Sequence, residues 1–203
     1  MATSQRLLTR LSGTPEYRRA ALLEAIPELI GYYSDGSGAL AVDFYEEQRD
    51  DAGVTSSFVP TLVVPDRESN IRRGTVWAAA PLFDGDEPGA GLRLAEIVQI
   101  ETARPYRDTI LTNTRNDPAA VGWKRITNNC CPFCTMLAAR GAVYKESTAR
   151  FAAHPHCDCT AAPCFIGGTV GPEASTLQYR ASRRSRTPKQ RKELRDYLAE
   201  NYG

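Results

Sequence analysis

Long apolar runs are missing from this sequence, and so is an excess of either charge. No stretch approaches the roughly eighteen consecutive apolar residues of a membrane span, so no membrane partner is expected. The N-terminal MATSQRLLTRLSG carries charge where a signal peptide has its apolar segment, so no secretory leader is expected. Lys and Arg number 25 against 24 Asp and Glu, a formal net charge of +1. The chain as a whole is therefore no polycation, and nucleic-acid contact would have to be local. Histidine is scarce, with two copies. The catalytic signatures H-x-E, H-E-x-x-H, G-x-S-x-G and the phosphate loop are all absent.

Cysteine is absent from most of the chain and then crowded. All six copies, Cys130, Cys131, Cys134, Cys157, Cys159 and Cys164, fall in one short window that also holds both histidines, His154 and His156. A secreted disulfide framework spreads its cysteines, so a local cluster of thiols and imidazoles points to a metal. Zinc takes four such ligands in a tetrahedron. The turn CPFC (131–134) offers two, and HPHCDC (154–159) returns with four candidates for the other two places. The pairs His154/Cys157 and His156/Cys159, His154 with Cys159, and both cysteines together all satisfy the spacing. Asp158 is placed to accept a hydrogen bond from an imidazole and orient it. Cys130 and Cys164 are left over as small buried residues. Because both histidines belong to this cluster, a Ser-His-Asp or Cys-His site would have to dismantle it. The zinc is read as structural, and neither catalysis nor a small-molecule substrate is expected.

The competing reading is a thiol–disulfide oxidoreductase at Cys131/Cys134, with Cys131 activated at a helix N-terminus. Such a fold places its dithiol after a strand inside a βαβ frame. Here the lead-in WKRITNNC reads as the end of a helix.

The rest of the chain reads as helix. Thr14-Pro15 is a start signal, a hydroxyl cap followed by proline at the first helical position. That helix is expected to stop or kink at Pro27, and a second helical pattern follows to about Gly53, weakened by the SDGSG within it. Tyr32, Tyr33, Phe44 and Tyr45 read as one buried face, and Trp77 and Trp123 as core. FVPTLVVP (58–65) reads as an extended connector, with helix returning from Ser69. DGDEPGAG (84–91) reads as loop, residues 92–116 as one helix interrupted at Pro105 or as two, and DPAAVGWKRI as a further helical turn. AVYK (142–145) is strand-like. Thr187-Pro188 caps a last helix with the apolar stripe Leu194, Tyr197 and Leu198. The fold class is mainly α: a helical body over 1–120, a small α+β zinc-binding module over 121–170, and a basic tail with a terminal helix over 171–203.

Residues 113–159 resemble the Mu F-type minor capsid, or head morphogenesis, proteins of tailed bacteriophages. The matching elements, in order, are GWKRI, CPFC, TMLAARG, AVYK and HPHCDC. RRAALLEAIPELI, ALAVDFYEEQRDDAGV, VWAAAPLF and DPAAVGWKRI extend the likeness to the versions found in phages of actinobacteria. The resemblance favours His154 over His156, and so the ligand set Cys131, Cys134, His154 and Cys159, with Cys157 as the replacement. It implies a non-catalytic component of the virion, at the capsid interior or portal vertex after assembly in the host cytoplasm. Its expected partners are the portal or major capsid protein. Packaged DNA is a further candidate: between 180 and 203 eight basic residues face three acidic ones. Arg183, Arg184, Arg186, Lys189, Arg191 and Lys192 are suited to phosphate contact without sequence preference. A solvated helix end is the equally weighted alternative for this tail. A free-standing zinc-dependent nucleic-acid-binding protein is the remaining alternative for the chain.

Overall fold

The structure, a computed structural model, describes residues 3–127, 131–139, 159–166 and 187–202. Helix α1 spans Thr3–Arg10, α2 Pro15–Asp51 and α3 Glu68–Ala79. A 3-10 turn, Ala80–Asp84, leads to α4, Glu87–Asn116. Strand β1 (Ala120–Ile126), helix α5 (Pro132–Ala139), strand β2 (Thr160–Phe165) and helix α6 (Pro188–Tyr202) complete the described elements. Both threonine–proline pairs start helices. Thr14 Oγ1 accepts the Tyr17 amide at 3.3 Å. At α6, Thr187 Oγ1 accepts the Gln190 amide while Gln190 Oε1 accepts the Thr187 amide, a reciprocal capping box that satisfies two orphan donors.

Helix α2 neither stops nor breaks at Pro27 or SDGSG, contrary to expectation. Proline removes one backbone donor and leaves the carbonyl four residues earlier without its helical partner. That carbonyl, on Leu23, accepts a hydrogen bond from Arg72 at 3.1 Å instead. Gly38 is buried in the helix for a steric reason. A β-carbon there would overlap the Leu62 side chain and meet Pro105 at 3.6 Å. The buried stripe of α2 runs Leu22, Ile26, Ile30, Ser34, Gly38, Ala41, Tyr45, Arg49, at spacings of three and four. Tyr32 and Tyr33 fall off this stripe and are 78% and 45% exposed. They do not share the buried face of Tyr45.

The chain divides into two compact units. One comprises Met1–Leu40 with Leu62–Asp108, the other Ala41–Thr61 with Thr109–Gly203. The first unit packs aliphatic side chains from α1, α2, α3 and α4: Leu8, Leu22, Ile26, Ile30, Ile71, Leu82 and Leu94 are all buried. The residues expected to be loop over 84–91 instead carry the start of α4, where Gly89 N–H bonds to Asp86 Oδ1 at 2.9 Å. Helix α4 continues through Pro105 without interruption. Trp77 is not core. It is 47% exposed, and the Arg93 guanidinium sits 4.7 Å from its ring centroid.

The second unit holds the connector, which has no regular secondary structure between α2 and α3, by its backbone. Thr61 N–H donates to Asn113 Oδ1 at 2.8 Å, and Asn113 Nδ2 donates back to Thr61 O at 2.9 Å. DPAAVGWKRI is not helical. Asn116 ends α4, and Asp117 Oδ1 accepts the Ala119 amide in a tight turn. The chain then enters β1, which pairs antiparallel with β2. The register shifts between Ala120 and Gly122, and Gly122 adopts φ 154°. This is a bulge at a position where a side chain would be strained. Trp123, opposite Pro163, is 1% exposed and is core as expected.

Candidate metal centre

The CPFC turn takes its shape from the start of α5. Cys131 is the cap residue: its carbonyl accepts the Thr135 amide at 3.0 Å, and Pro132 occupies the first helical position, where no donor is needed. The Cys131 sulfur accepts the Cys134 amide at 3.3 Å, the role a serine hydroxyl plays at an ordinary cap. The turn therefore presents both sulfurs within the first turn of a helix.

A third sulfur joins them. Cys159, immediately before β2, packs with Cys134 in one buried cluster, and Cys131 and Phe133 close over it. Cys134 and Cys159 are each 1% exposed. The β1–β2 ladder and the packing of α5 against β1 carry Cys159 back to the helix start. His154, His156 and Cys157 lie outside the described residues, as does Cys130. Among the described residues no group of three or more His, Cys, Asp or Glu is arranged to hold a metal ion. The three thiols are thus gathered by packing, and a complete ligand set needs a donor from 154–157. Thiols are donors that zinc prefers, but as placed Cys131, Cys134 and Cys159 do not by themselves form a metal-holding group. Cys164 does not belong to the cluster. It sits opposite Gly122 in the ladder, and burial raises its thiol pKa above the usual range, with Lys124 opposing weakly.

Sequence reasoning missed the polar clasp that supports this region. Asp117, 3% exposed, accepts hydrogen bonds from Arg49 Nη1 through Oδ2 and, at 3.2 Å, from the Tyr45 hydroxyl through the same oxygen. Arg49 Nη2 donates to the Ser56 carbonyl, and the guanidinium lies 5.4 Å from the Phe58 ring centroid and 5.8 Å from that of Phe165. Burial, and then the neighbouring Asp117 carboxylate, push the Tyr45 hydroxyl well above the ordinary tyrosine pKa. One charged pair thus ties α2, the connector, the α4–β1 turn and β2 together. The only sequence signal was that Tyr45 and Arg49, four residues apart, share a helix face with Ala41.

The tail helix is not a free arm. Helix α6 packs on α5, and Leu198 is buried with Leu194 half-buried, while Tyr197 is 52% exposed. The apolar stripe Leu194, Tyr197 and Leu198 is therefore used partly inside the chain. Lys189, Arg191 and Lys192 are exposed, and two of them are paired along the helix, Lys189 with Glu193 at 3.8 Å and Lys192 with Asp196 at 2.8 Å. Arg183, Arg184 and Arg186 lie outside the described residues. Among the described residues, no helix is long and apolar enough to cross a membrane.

A family described as VG15 protein matches residues 1–182. No curated protein and no solved structure matches the chain.

Proposed function

The chain belongs to the VG15 protein family, a bacteriophage family, and from that premise we propose that it is a minor capsid or head morphogenesis protein of the Mu F-like kind. Its role is structural: it joins the portal or inner capsid wall during head assembly and DNA packaging, and it catalyses nothing. A zinc ion stiffens its C-terminal region, held by Cys131, Cys134 and Cys159 with a fourth ligand from His154, or from Cys157 in its place. The observation that supports this reading is the packing of Cys159 against Cys134, both 1% exposed, with Cys131 beside them at the start of one helix. When bound, zinc supplies a cross-link between chain segments remote in sequence. The protein supplies the capped turn and the dry pocket.

The redox alternative shares the capped Cys131, so the third sulfur separates the two readings. A dithiol enzyme has no use for a buried third thiol against its reactive pair. The strand β1 does precede the motif, contrary to expectation, but its partner β2 is antiparallel, whereas a βαβ frame needs parallel strands.

Two measurements on one preparation test the proposal. Virions are separated into heads and tails, and the chain is quantified in each. It is expected in the head fraction at low copy number. Purified chain is expected to carry one zinc and to turn over no dithiol substrate. Absence from heads, or disulfide-exchange activity at the CPFC pair, would overturn it.

A further inference from the structure

The first unit contains a groove of about 460 Å³ that plays no part in the metal centre. Six carboxylates line it against three guanidiniums. All three guanidiniums are already engaged: Arg67 and Arg104 with Glu101 at 2.8 and 3.2 Å, Arg72 with Glu68 at 2.9 Å. The unpaired charge lies on α2, where Glu28 and Asp35 have no partner among the described residues. They are seven residues apart on one helix face, roughly 10 Å along the axis at 1.5 Å per residue.

Between them the helix surface is bare. Gly31 lines the groove, and a β-carbon there would have nothing within 4 Å. Ser34, also lining the groove, is only 6% exposed, and its hydroxyl makes no hydrogen bond among the described residues. That hydroxyl is open to the groove and free to bond a ligand. Pro27, Ile71 and Pro105 supply apolar walls. Two anionic ends, an apolar trough between them and a free hydroxyl beside the Asp35 end describe the complement of a chain with cationic ends and methylene links.

We propose that this groove is a binding site for a linear aliphatic polyamine, with terminal ammonium groups on Glu28 and Asp35, its methylenes over Gly31, and a hydrogen bond to Ser34. Anionic ligands are disfavoured by the excess of carboxylates. The size suits a small molecule, since ligand pockets run from about 300 to 1,000 Å³.

Calorimetric titration of the full chain with spermidine at low ionic strength tests this. Saturable one-to-one binding that weakens with added salt is expected. The double substitution Glu28→Gln with Asp35→Asn should weaken it at least about tenfold, and Ser34→Ala should weaken it by a few-fold. Gly31→Leu should abolish binding by filling the trough while leaving the thermal midpoint unchanged or raised, since glycine is a poor helix former. Absence of saturable binding to the native chain overturns the proposal, as does binding that survives Gly31→Leu. An acetyl-Leu-Lys-Leu-amide peptide run in parallel is expected to bind more weakly than spermidine. Tighter binding of the peptide would overturn the assignment to a free polyamine.

Discussion

The two units of this molecule are held together by different physics. The first is an aliphatic core in which Leu22, Ile26, Ile30, Ile71 and Leu94 interdigitate without directional bonds. The second buries two arginines, an aspartate, a tyrosine, an asparagine and the cysteines Cys134, Cys159 and Cys164. The stripe of α2 crosses from one regime to the other, from leucine and isoleucine through Ser34, Gly38 and Ala41 to Tyr45 and Arg49. Aliphatic contacts are individually weak and replaceable, so the first unit should lose stability by degrees when truncated. Buried polar contacts are worth most when complete, and removing one partner strands the other. The second unit should therefore fail abruptly.

The largest effect expected is from removing the metal. Structural zinc contributes roughly 10–16 kcal/mol in small finger peptides, comparable with or larger than the stability of a whole domain. Chelation should make the region from Cys131 onward sensitive to protease while the far-UV circular dichroism of the long helices persists. A protease pattern indifferent to chelator would erase the proposed contrast. Next is the clasp. Asp117→Ala leaves the Arg49 charge buried without its carboxylate and should destabilise the second unit by about 3–5 kcal/mol, read by urea unfolding. In the first unit, Leu94→Ala should cost about 2–5 kcal/mol as a cavity. Comparing these two substitutions tests the distinction directly.

Tyr45 sharpens the comparison through pH. Its hydroxyl is raised in the folded state above the value of about 10 for free tyrosine. The folded state then holds a proton that the unfolded chain releases. Stability from this group is therefore full below about pH 10 and falls as pH rises beyond it, by up to about 1.4 kcal/mol per unit. Tyr45→Phe should flatten that alkaline decline relative to the native chain. An identical slope in both would remove Tyr45 from the account. The smallest effects concern two glycines two residues apart in α2. Gly36→Ala meets nothing within 4 Å and should stabilise by about 0.5–1 kcal/mol. Gly38→Ala must displace the Leu62 δ-methyl, the end of a half-exposed flexible side chain, and should stabilise less than Gly36→Ala.

The same contrast explains what could be read in the chain beforehand. Caps and periodicity are local and chemical, so Thr14-Pro15, Thr187-Pro188 and the stripe from Leu22 to Ile30 were legible. Pro27 misled because the Arg72 side chain, remote in sequence, takes the carbonyl that the proline orphans. SDGSG misled because Gly38 answers to Leu62 rather than to helix propensity. Residues 120–126 looked like a continuation of helix because their strand partner, β2, lies more than thirty residues on and gave no signal of its own. The bulge at Gly122 was the one local hint. The nearness of Cys131, Cys134 and Cys159 was legible because thiol spacing is written in the sequence. Arg49, Tyr45 and Asp117 were not, since a charged residue on a helix face usually points to water. Trp77 misled in the opposite sense: arginine stacking lets an indole stay at the surface.

The central claim is that sulfurs converging on the start of α5 hold one metal ion. Native mass spectrometry of the full chain and of Cys159→Ser and Cys164→Ser tests it most directly, because both cysteines are buried at opposite ends of the same short strand and only Cys159 joins the cluster. One zinc per chain is predicted for the native protein and for Cys164→Ser, with the metal lost or greatly weakened in Cys159→Ser. A native chain that carries no metal, with its mass lower by two hydrogen atoms for a Cys131–Cys134 disulfide, would contradict the account.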